Sequence, residues 1–321
     1  MSGWRAKNYD CQACGGATMT AFGRNAKIQD WLYRKERGSP FLIRFIAWLA
    51  VTVGRGPTRL LLHPIALYFL ICAPRQRRQS QAFLNHALDR PARIGDSYRH
   101  FLCFASTILD RVYFLTDRSD LLQVEYQGLE ALDAVRMQGR GAVLVGAHFG
   151  SFDAMRALAI GRPEFKLKVL MHVGAESRIS AILHTLNPHL KEMIIPLGQS
   201  GSMLRVNECL KQGDWIGVLG DRVVMEGKTR AVPFLGQSAD FPVSPWILAA
   251  VSKAPVVMFA GVYLGGNRYQ VKFRLLSEGN ISGPGERDTA FQTEVDTYVR
   301  TLEDWVRAHP YNWFNFYDFW A

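Results

Sequence analysis

GAVLVGAHFGSFDAMR, residues 141–156, is the stretch around which the rest of this chain is organised. Its apolar run at residues 142–145 is followed by small residues, then by His148, and then by Gly150 and Ser151. This order predicts a buried strand, a tight turn and the start of a helix, with Ser151 as the helix N-cap.

Two ionisable residues, His148 and Asp153, stand on either side of the predicted turn. Asp153 falls in the first helical turn, where the helix dipole stabilises a carboxylate, so we expect the two side chains to face one another. Active groups in open α/β sheets collect at the carboxyl ends of strands, which makes this pair a candidate catalytic dyad. The alternative is that Asp153 only caps the helix and that His148 is a hydrogen-bonded loop residue.

Composition and charge indicate a large core and a membrane-facing N-terminal third. The chain has 321 residues, 48% of them apolar, which is enough for one large α/β domain with or without an appendage. Residues 1–118 contain 18 basic and 7 acidic residues, a surplus of +11, whereas residues 119–321 contain 20 and 21, or −1. The longest apolar runs, residues 41–53 and 60–73, lie in the basic third, a combination that favours a membrane surface over nucleic acid. No nucleic-acid-binding motif is present.

Neither apolar run reaches the roughly 20 residues that span a bilayer. Arg44 interrupts the first run and His63 with Pro64 the second. Interfacial or re-entrant helices, one spanning helix, or ordinary core helices all remain open. Residues 1–38 are polar and show no secretory signal, so we expect the catalytic part to stay in the cytoplasm.

The pattern along the chain predicts three regions: a variable segment over residues 1–30, a helical membrane-associating region over residues 31–118, and an α/β domain over residues 119–321. In the last region short apolar runs alternate with amphipathic stretches, which favours a mainly parallel sheet with helices on both faces. The predicted parallel strands are residues 123–127, 142–145, 167–173, 193–197 and 215–219.

Towards the C-terminus, Ser244 is the predicted N-cap of a helix that has Pro245 at its first position. A hairpin of residues 255–264 and 269–276 is expected to end the sheet antiparallel. The aromatic tail, residues 311–320, could pack over the core, rim a lipid groove, or sit at the membrane interface.

Several familiar motifs are excluded. Arg222 stands where a P-loop ending at Lys228 needs a glycine, and no G-x-S-x-G elbow is present. Cys11 and Cys14 have metal-knuckle spacing but no second pair or nearby histidine, so we predict no metal there. We also predict no cofactor.

The motifs that remain are His148 with Asp153, the G-D-R run at residues 220–222, and VPFLG at residues 232–236. A histidine whose other ring nitrogen is held by a carboxylate can take a proton from an alcohol. No serine is needed if the alcohol belongs to a substrate, so acyl transfer to a hydroxyl fits these residues.

Four blocks in order, AHFGSFD (147–153), GDR (220–222), AVPFLG (231–236) and APVV (254–257), resemble the lysophospholipid acyltransferase superfamily. Within it the chain is most similar to the branch of bacterial lipid A late (secondary) acyltransferases, from about Trp31 to the end. The resemblance implies a glycerolphosphate acyltransferase-like fold, with His148 as general base and Asp153 as its orienting partner. Gly150 and Ser151 would form the loop, and the substrate-binding residues would be Arg178, Asp221, Arg222, Phe234 and Gly236.

The resemblance also implies partners and a location. An acyl carrier protein or acyl-CoA would be the acyl donor. The acceptor would be a lipid or glycolipid, for example one that resembles lipid A. The enzyme would work on the cytoplasmic face of a bacterial inner membrane as a peripheral, monotopic or single-span protein. Two departures leave the acceptor open: this branch generally carries Glu at the position of Asp153, and it does not usually end in NWFNFYDFW. The alternatives are another lipid or polyene-type product, or a non-catalytic membrane or carrier-protein binder.

Overall fold

The computed structural model describes residues 40–116, 118–155, 158, 162, 165–172, 187, 190–223, 228–279 and 284–320. Its helices are α1 (Pro40–Thr52), α2 (Arg55–Leu60), α3 (Leu62–Cys72), α4 (Pro74–Ala87), α5 (Ile94–Leu115), α6 (Leu129–Arg136), α7 (Leu190–Met193), α8 (Ser202–Lys211), α9 (Ser244–Val251) and α10 (Pro284–Ala308). Its strands are β1 (Gln123–Gln127), β2 (Val143–Gly146), β3 (Leu167–His172), β4 (Ile194–Leu197), β5 (Trp215–Leu219), β6 (Thr229–Phe234), β7 (Gln237–Pro242), β8 (Val256–Gly265) and β9 (Arg268–Ser277).

A mixed sheet with the order β1-β9-β8-β2-β5-β3-β4 forms the centre of the molecule. Neighbouring strands run parallel everywhere except between β8 and β9. All four residues of β2 are buried, as expected for a short apolar strand that is covered on both faces. The predicted mainly parallel sheet flanked by helices is therefore confirmed.

The C-terminal hairpin forms, but the prediction that it ends the sheet is wrong. β8 and β9 pair antiparallel, and β1 then pairs in parallel along the free side of β9, from Gln123 opposite Arg268 to Gln127 opposite Lys272. β1 is a short strand in which alternate residues are exposed, and both features suit the edge of a sheet. Without β1, the longer strand β9 would be the edge strand.

The block at residues 231–236 lies in a separate two-stranded antiparallel sheet of β6 and β7, which the sequence did not predict as strands. Leu235 and Gly236 form its turn, both with positive φ, of 51° and 83°. The helix that follows, α9, begins at Ser244, with Val243 at the N-cap and no side-chain cap, so the predicted Ser244 cap is wrong. Val243 donates its main-chain N–H to the Lys228 carbonyl oxygen at 3.0 Å. This bond holds Val243 as the last residue before the helix, so the N-cap lies one residue before the predicted one.

The N-terminal helices share a core with the sheet. Tyr113 and Phe114 of α5 are fully buried and pack in one cluster with Leu144 of β2 and Tyr269 of β9. Within the described part of the chain, no single helix has both the length and the apolar composition of a membrane span. One pair of helical segments meets that criterion when the two are taken together, Arg55–Cys72 with Pro74–Ala87. The chain bends by 95° at the break between these two segments.

Candidate active site

His148 and Asp221 lie at the same edge of the sheet because the strands before them are neighbours. β2 and β5 run parallel with Gly146 opposite Leu219, and each of the two residues follows its strand at the same distance. Gly220 donates its main-chain N–H to the Gly146 carbonyl oxygen at 2.9 Å, which carries the pairing one step beyond the strands. The carboxyl ends of two adjacent parallel strands thus place an imidazole beside a carboxylate.

Asp221 is fully buried and accepts hydrogen bonds on both of its oxygens. Its Oδ1 lies 2.9 Å from His148 Nδ1. Its Oδ2 accepts the main-chain N–H of His148 at 2.9 Å and the indole Nε1–H of Trp313 at 3.1 Å. These contacts fix both the orientation of the carboxylate and that of the imidazole.

The electrostatics of the pair favour a neutral imidazole beside an ionised carboxylate. Burial, followed by the charge of Arg222, lowers the pKa of His148 below its ordinary value, although Asp221 acts in the opposite direction. Burial raises the pKa of Asp221, but the charge and hydrogen bonds of His148 and the charge of Arg222 outweigh it, so that this pKa lies below its ordinary value. Near neutral pH, Nδ1–H therefore donates to Asp221 and Nε2 carries the free electron pair. With 30% of the His148 side chain exposed and Nδ1 against a buried carboxylate, the accessible edge is the one that bears Nε2.

Asp153, the predicted partner of His148, has a different contact. Its Oδ2 lies 2.6 Å from Nε of Arg111, a residue of α5. Between the two residues the chain turns at Gly150, and the N–H of Ser151 donates to the Gly261 carbonyl oxygen of β8 at 2.7 Å. This turn directs Asp153 towards α5, so the carboxylate on His148 Nδ1 is Asp221 and the expected pairing is corrected accordingly.

Gly150 and Ser151 lie in the loop, as predicted, but Ser151 does not cap the helix. Gly150 has a φ of 68°, and a Cβ there would stand 1.9 Å from the Gly261 carbonyl oxygen, so both the conformation and the space require glycine. The Ser151 hydroxyl is buried without a hydrogen-bond partner, and the described helical residues begin at Ala154.

Of the predicted substrate-binding residues, Arg222 lies at the site and Phe234 beneath it. Arg222 donates from Nη2 to the Phe314 carbonyl oxygen at 2.8 Å, and its guanidinium carbon lies 5.1 Å from the centre of the Tyr317 ring. Phe234 is fully buried, with its ring 5.1 Å from that of Trp313, so it has no surface to offer a substrate and supports the site by packing. Gly236 is in the turn between β6 and β7, and Arg178 lies outside the described residues.

The sequence did not identify Trp313 as part of the site. The feature of the sequence that could have identified it is the density of aromatic residues in the tail. Packing over the core was one of three interpretations of that tail. That interpretation holds for Trp313 and Phe314, both of which are buried. Arg111, the partner of Asp153, was not singled out either, because the contact joins residues 42 positions apart.

The described residues contain no group of three or more His, Cys, Asp or Glu side chains that could hold one metal ion. Nδ1 of His148 and the indole N–H of Trp313 are both directed at the carboxylate of Asp221.

A mainly parallel sheet flanked by helices, whose carboxyl edge carries a hydrogen-bonded His–Asp pair, defines an α/β protein with a candidate active site at that edge. The family model of the bacterial lipid A biosynthesis acyltransferases matches residues 32–321. The chain therefore belongs to this family, which confirms the resemblance and makes the protein an enzyme of acyl transfer to a lipid acceptor. A comparison with curated proteins found no match.

Proposed function

We propose that the protein transfers a fatty acyl chain from an acyl thioester, carried by an acyl carrier protein or by CoA, to a hydroxyl group of a lipid or glycolipid. His148 is the general base and Asp221 holds it in place. The observation that carries this proposal is the hydrogen bond of 2.9 Å between His148 Nδ1 and a fully buried carboxylate, which leaves the accessible Nε2 as the proton acceptor.

In the proposed reaction the acceptor hydroxyl donates its hydrogen bond to Nε2. As its oxygen attacks the thioester carbonyl carbon, the proton moves to Nε2, and the negative charge of Asp221 stabilises the imidazolium. Main-chain N–H groups stabilise the oxyanion of the tetrahedral intermediate. The intermediate then expels the thiolate, which takes the proton from the imidazolium, so that one C–O bond forms, one C–S bond breaks and a free thiol leaves.

The test is the variant His148→Ala, assayed for thiol release with acyl carrier protein and CoA thioesters and for acyl transfer by lipid mass spectrometry. We expect the rate to fall by about 10² to 10⁴, the usual contribution of a general base. His63→Ala is the matched control, because His63 lies on α3 and bonds the Tyr98 hydroxyl at 2.7 Å, away from the Asp221 contact. Full activity in His148→Ala would reject the assignment.

The same assays separate the alternatives. A non-catalytic binder on this fold would release no thiol from either donor and would lose nothing in His148→Ala. An acyltransferase for another lipid, or for a polyene-type product, would release thiol but acylate a different acceptor, which lipid mass spectrometry of a deletion strain identifies.

The proposed place of work is the cytoplasmic face of a bacterial inner membrane, with α1 to α3 as the membrane-facing surface. Large apolar side chains that are exposed to solvent concentrate on these three helices: Phe41, Leu42, Phe45, Trp48, Leu60, Leu67, Tyr68 and Ile71. The basic surplus of residues 1–118 lies in the same part of the chain and suits anionic headgroups.

A further inference from the structure

The C-terminal tail is hydrogen-bonded to the loop that carries His148. Gly150 donates its main-chain N–H to the Asn312 carbonyl oxygen at 2.7 Å, and Phe314 donates its N–H to the His148 carbonyl oxygen at 2.8 Å. The two hydrogen bonds flank an antiparallel bridge between Phe149 and Trp313. The main chain of residues 312–314, here called the tail segment, thus pairs with the loop on both sides of Phe149.

The tail segment is held from its other sides as well. The Asn312 side chain accepts the main-chain N–H of Tyr263 at 2.8 Å and donates to the Tyr263 carbonyl oxygen at 3.1 Å. His100 of α5, which is fully buried, bonds the Trp313 carbonyl oxygen through Nε2 at 2.9 Å. A carbonyl oxygen can only accept, so His100 carries its proton on Nε2.

The indole of Trp313 is aimed at Asp221 and has no room to turn away. Trp313 is 1% exposed, and the rings of Phe83, Phe234 and Phe319 stand edge-on to it at 5.0, 5.1 and 4.7 Å. Its Nε1–H occupies Oδ2 of Asp221 and leaves Oδ1 for His148 Nδ1. Together with the main-chain N–H of His148, which also donates to Oδ2, the indole N–H fixes which carboxylate oxygen faces the imidazole.

We propose that Trp313 is a positioning residue of acyl transfer, which holds the Asp221 carboxylate through its indole N–H so that the imidazole keeps Nε2 towards the acceptor hydroxyl. The proposal rests on the proposed function. It assigns the C-terminal tail to the catalytic machinery, so that docking of the tail and assembly of the site become one event.

The test is Trp313→Phe, which keeps an aromatic ring in the same space and removes the N–H donor. The matched control is Trp215→Phe, because Trp215 is also buried but begins β5, at the end of that strand opposite to Asp221. A hydrogen bond to an ionised group is among the stronger ones, so we expect kcat to fall about tenfold or more in Trp313→Phe. Since the tail does not bind substrate in this proposal, KM should change less than about twofold.

The pH profile separates positioning from loss of packing. Without the indole donor the carboxylate interacts more strongly with the imidazolium, while Arg222, the other charged group at the pair, is unchanged. The acidic limb of the kcat/KM profile should therefore move to higher pH in Trp313→Phe and stay in place in Trp215→Phe. Equal losses of kcat and unmoved profiles in the two variants would overturn the proposal.

A second measurement does not depend on the folding of Trp313→Phe. In ¹⁵N-labelled protein the indole N–H resonance of Trp313 should move when Asp221→Asn removes the charged acceptor, whereas that of Trp215 should not. An unmoved Trp313 resonance contradicts the proposal. Failure of the underlying function is distinct, because it appears as an active His148→Ala, whatever Trp313→Phe does.

Discussion

At the residue scale, Asp221 bonds His148 whereas Asp153 pairs with Arg111, so the two carboxylates have different expected roles. Asp221→Asn keeps the shape of the side chain but removes the charge that orients and stabilises His148. We expect kcat to fall by about 100-fold or more, within the range usual for general-base catalysis. The measurement is thiol release under saturating donor, together with circular dichroism to show that the variant is folded.

Asp153→Asn is the matched comparison for Asp221→Asn. It breaks the partly buried ion pair with Arg111, whose two side chains are 21% and 10% exposed. We expect it to lower the free energy of unfolding by about 2 kcal/mol, as for a hydrogen bond between charged groups, and to reduce kcat much less than Asp221→Asn does. If Asp153→Asn abolished transfer in a protein of unchanged stability, Asp153 would be the catalytic partner, as the sequence first indicated.

The spacing between His148 and Asp153 does not predict which carboxylate bonds the His148 imidazole. That spacing places both residues in one loop, and local geometry then decides where each side chain points. Asp221 reaches His148 only because β5 lies beside β2, and this neighbourhood joins residues 73 positions apart. The sequence could predict that both residues follow strands, but not that those strands are adjacent.

At the scale of elements, α5 and the tail are joined through a buried titratable group, which predicts how stability depends on pH. Burial lowers the pKa of His100 to about 4, whereas in the unfolded chain it is near 6.5. Below about pH 6.5 the unfolded chain binds a proton that the folded chain excludes. The contribution of neutral His100 to the free energy of unfolding is therefore fully present above this pH and is lost as the pH falls towards 4. The gap between the two values corresponds to about 3 kcal/mol.

His100→Gln tests this prediction, because glutamine can still donate to the Trp313 carbonyl oxygen but does not titrate. Urea unfolding between pH 7 and pH 4 should show a flatter decline in this variant than in the unaltered protein. His63→Gln, at an exposed position on α3, should keep the full slope. A full slope in His100→Gln would show that another group is responsible.

Elements with a strong local pattern agree with their prediction. β5 has the bounds that the sequence predicted, residues 215–219, since it is a continuous apolar run. β6 and β7 were missed because their segment, residues 229–242, mixes polar residues with two prolines and a short apolar block. The place of β1 at the edge could not be foreseen, because its partner β9 lies more than 140 residues further along the chain.

At the scale of the whole molecule, the helical region and the α/β region share one core. Deleting residues 1–118 would remove Tyr113 and Phe114, which are buried against the sheet, so such a truncation would unfold the enzyme whether or not these residues bind a membrane. Surface substitutions therefore test membrane binding more sharply than truncation does.

The double variant Leu60→Glu with Ile71→Glu places charges on α2 and α3 at side chains that are 69% and 63% exposed. If these helices enter the headgroup region, each charge should weaken binding to vesicles with anionic lipid by about tenfold or more, since an apolar side chain loses its burial in lipid. The control is Met203→Glu with Leu204→Glu on α8, where the side chains are 49% and 64% exposed and the charge added is the same. Sedimentation with vesicles should fall in the first variant alone, while thiol release from a soluble donor stays intact in both. Equal binding of the two variants would mean that α2 and α3 do not face the bilayer, and the basic surplus of the N-terminal third would then need another partner.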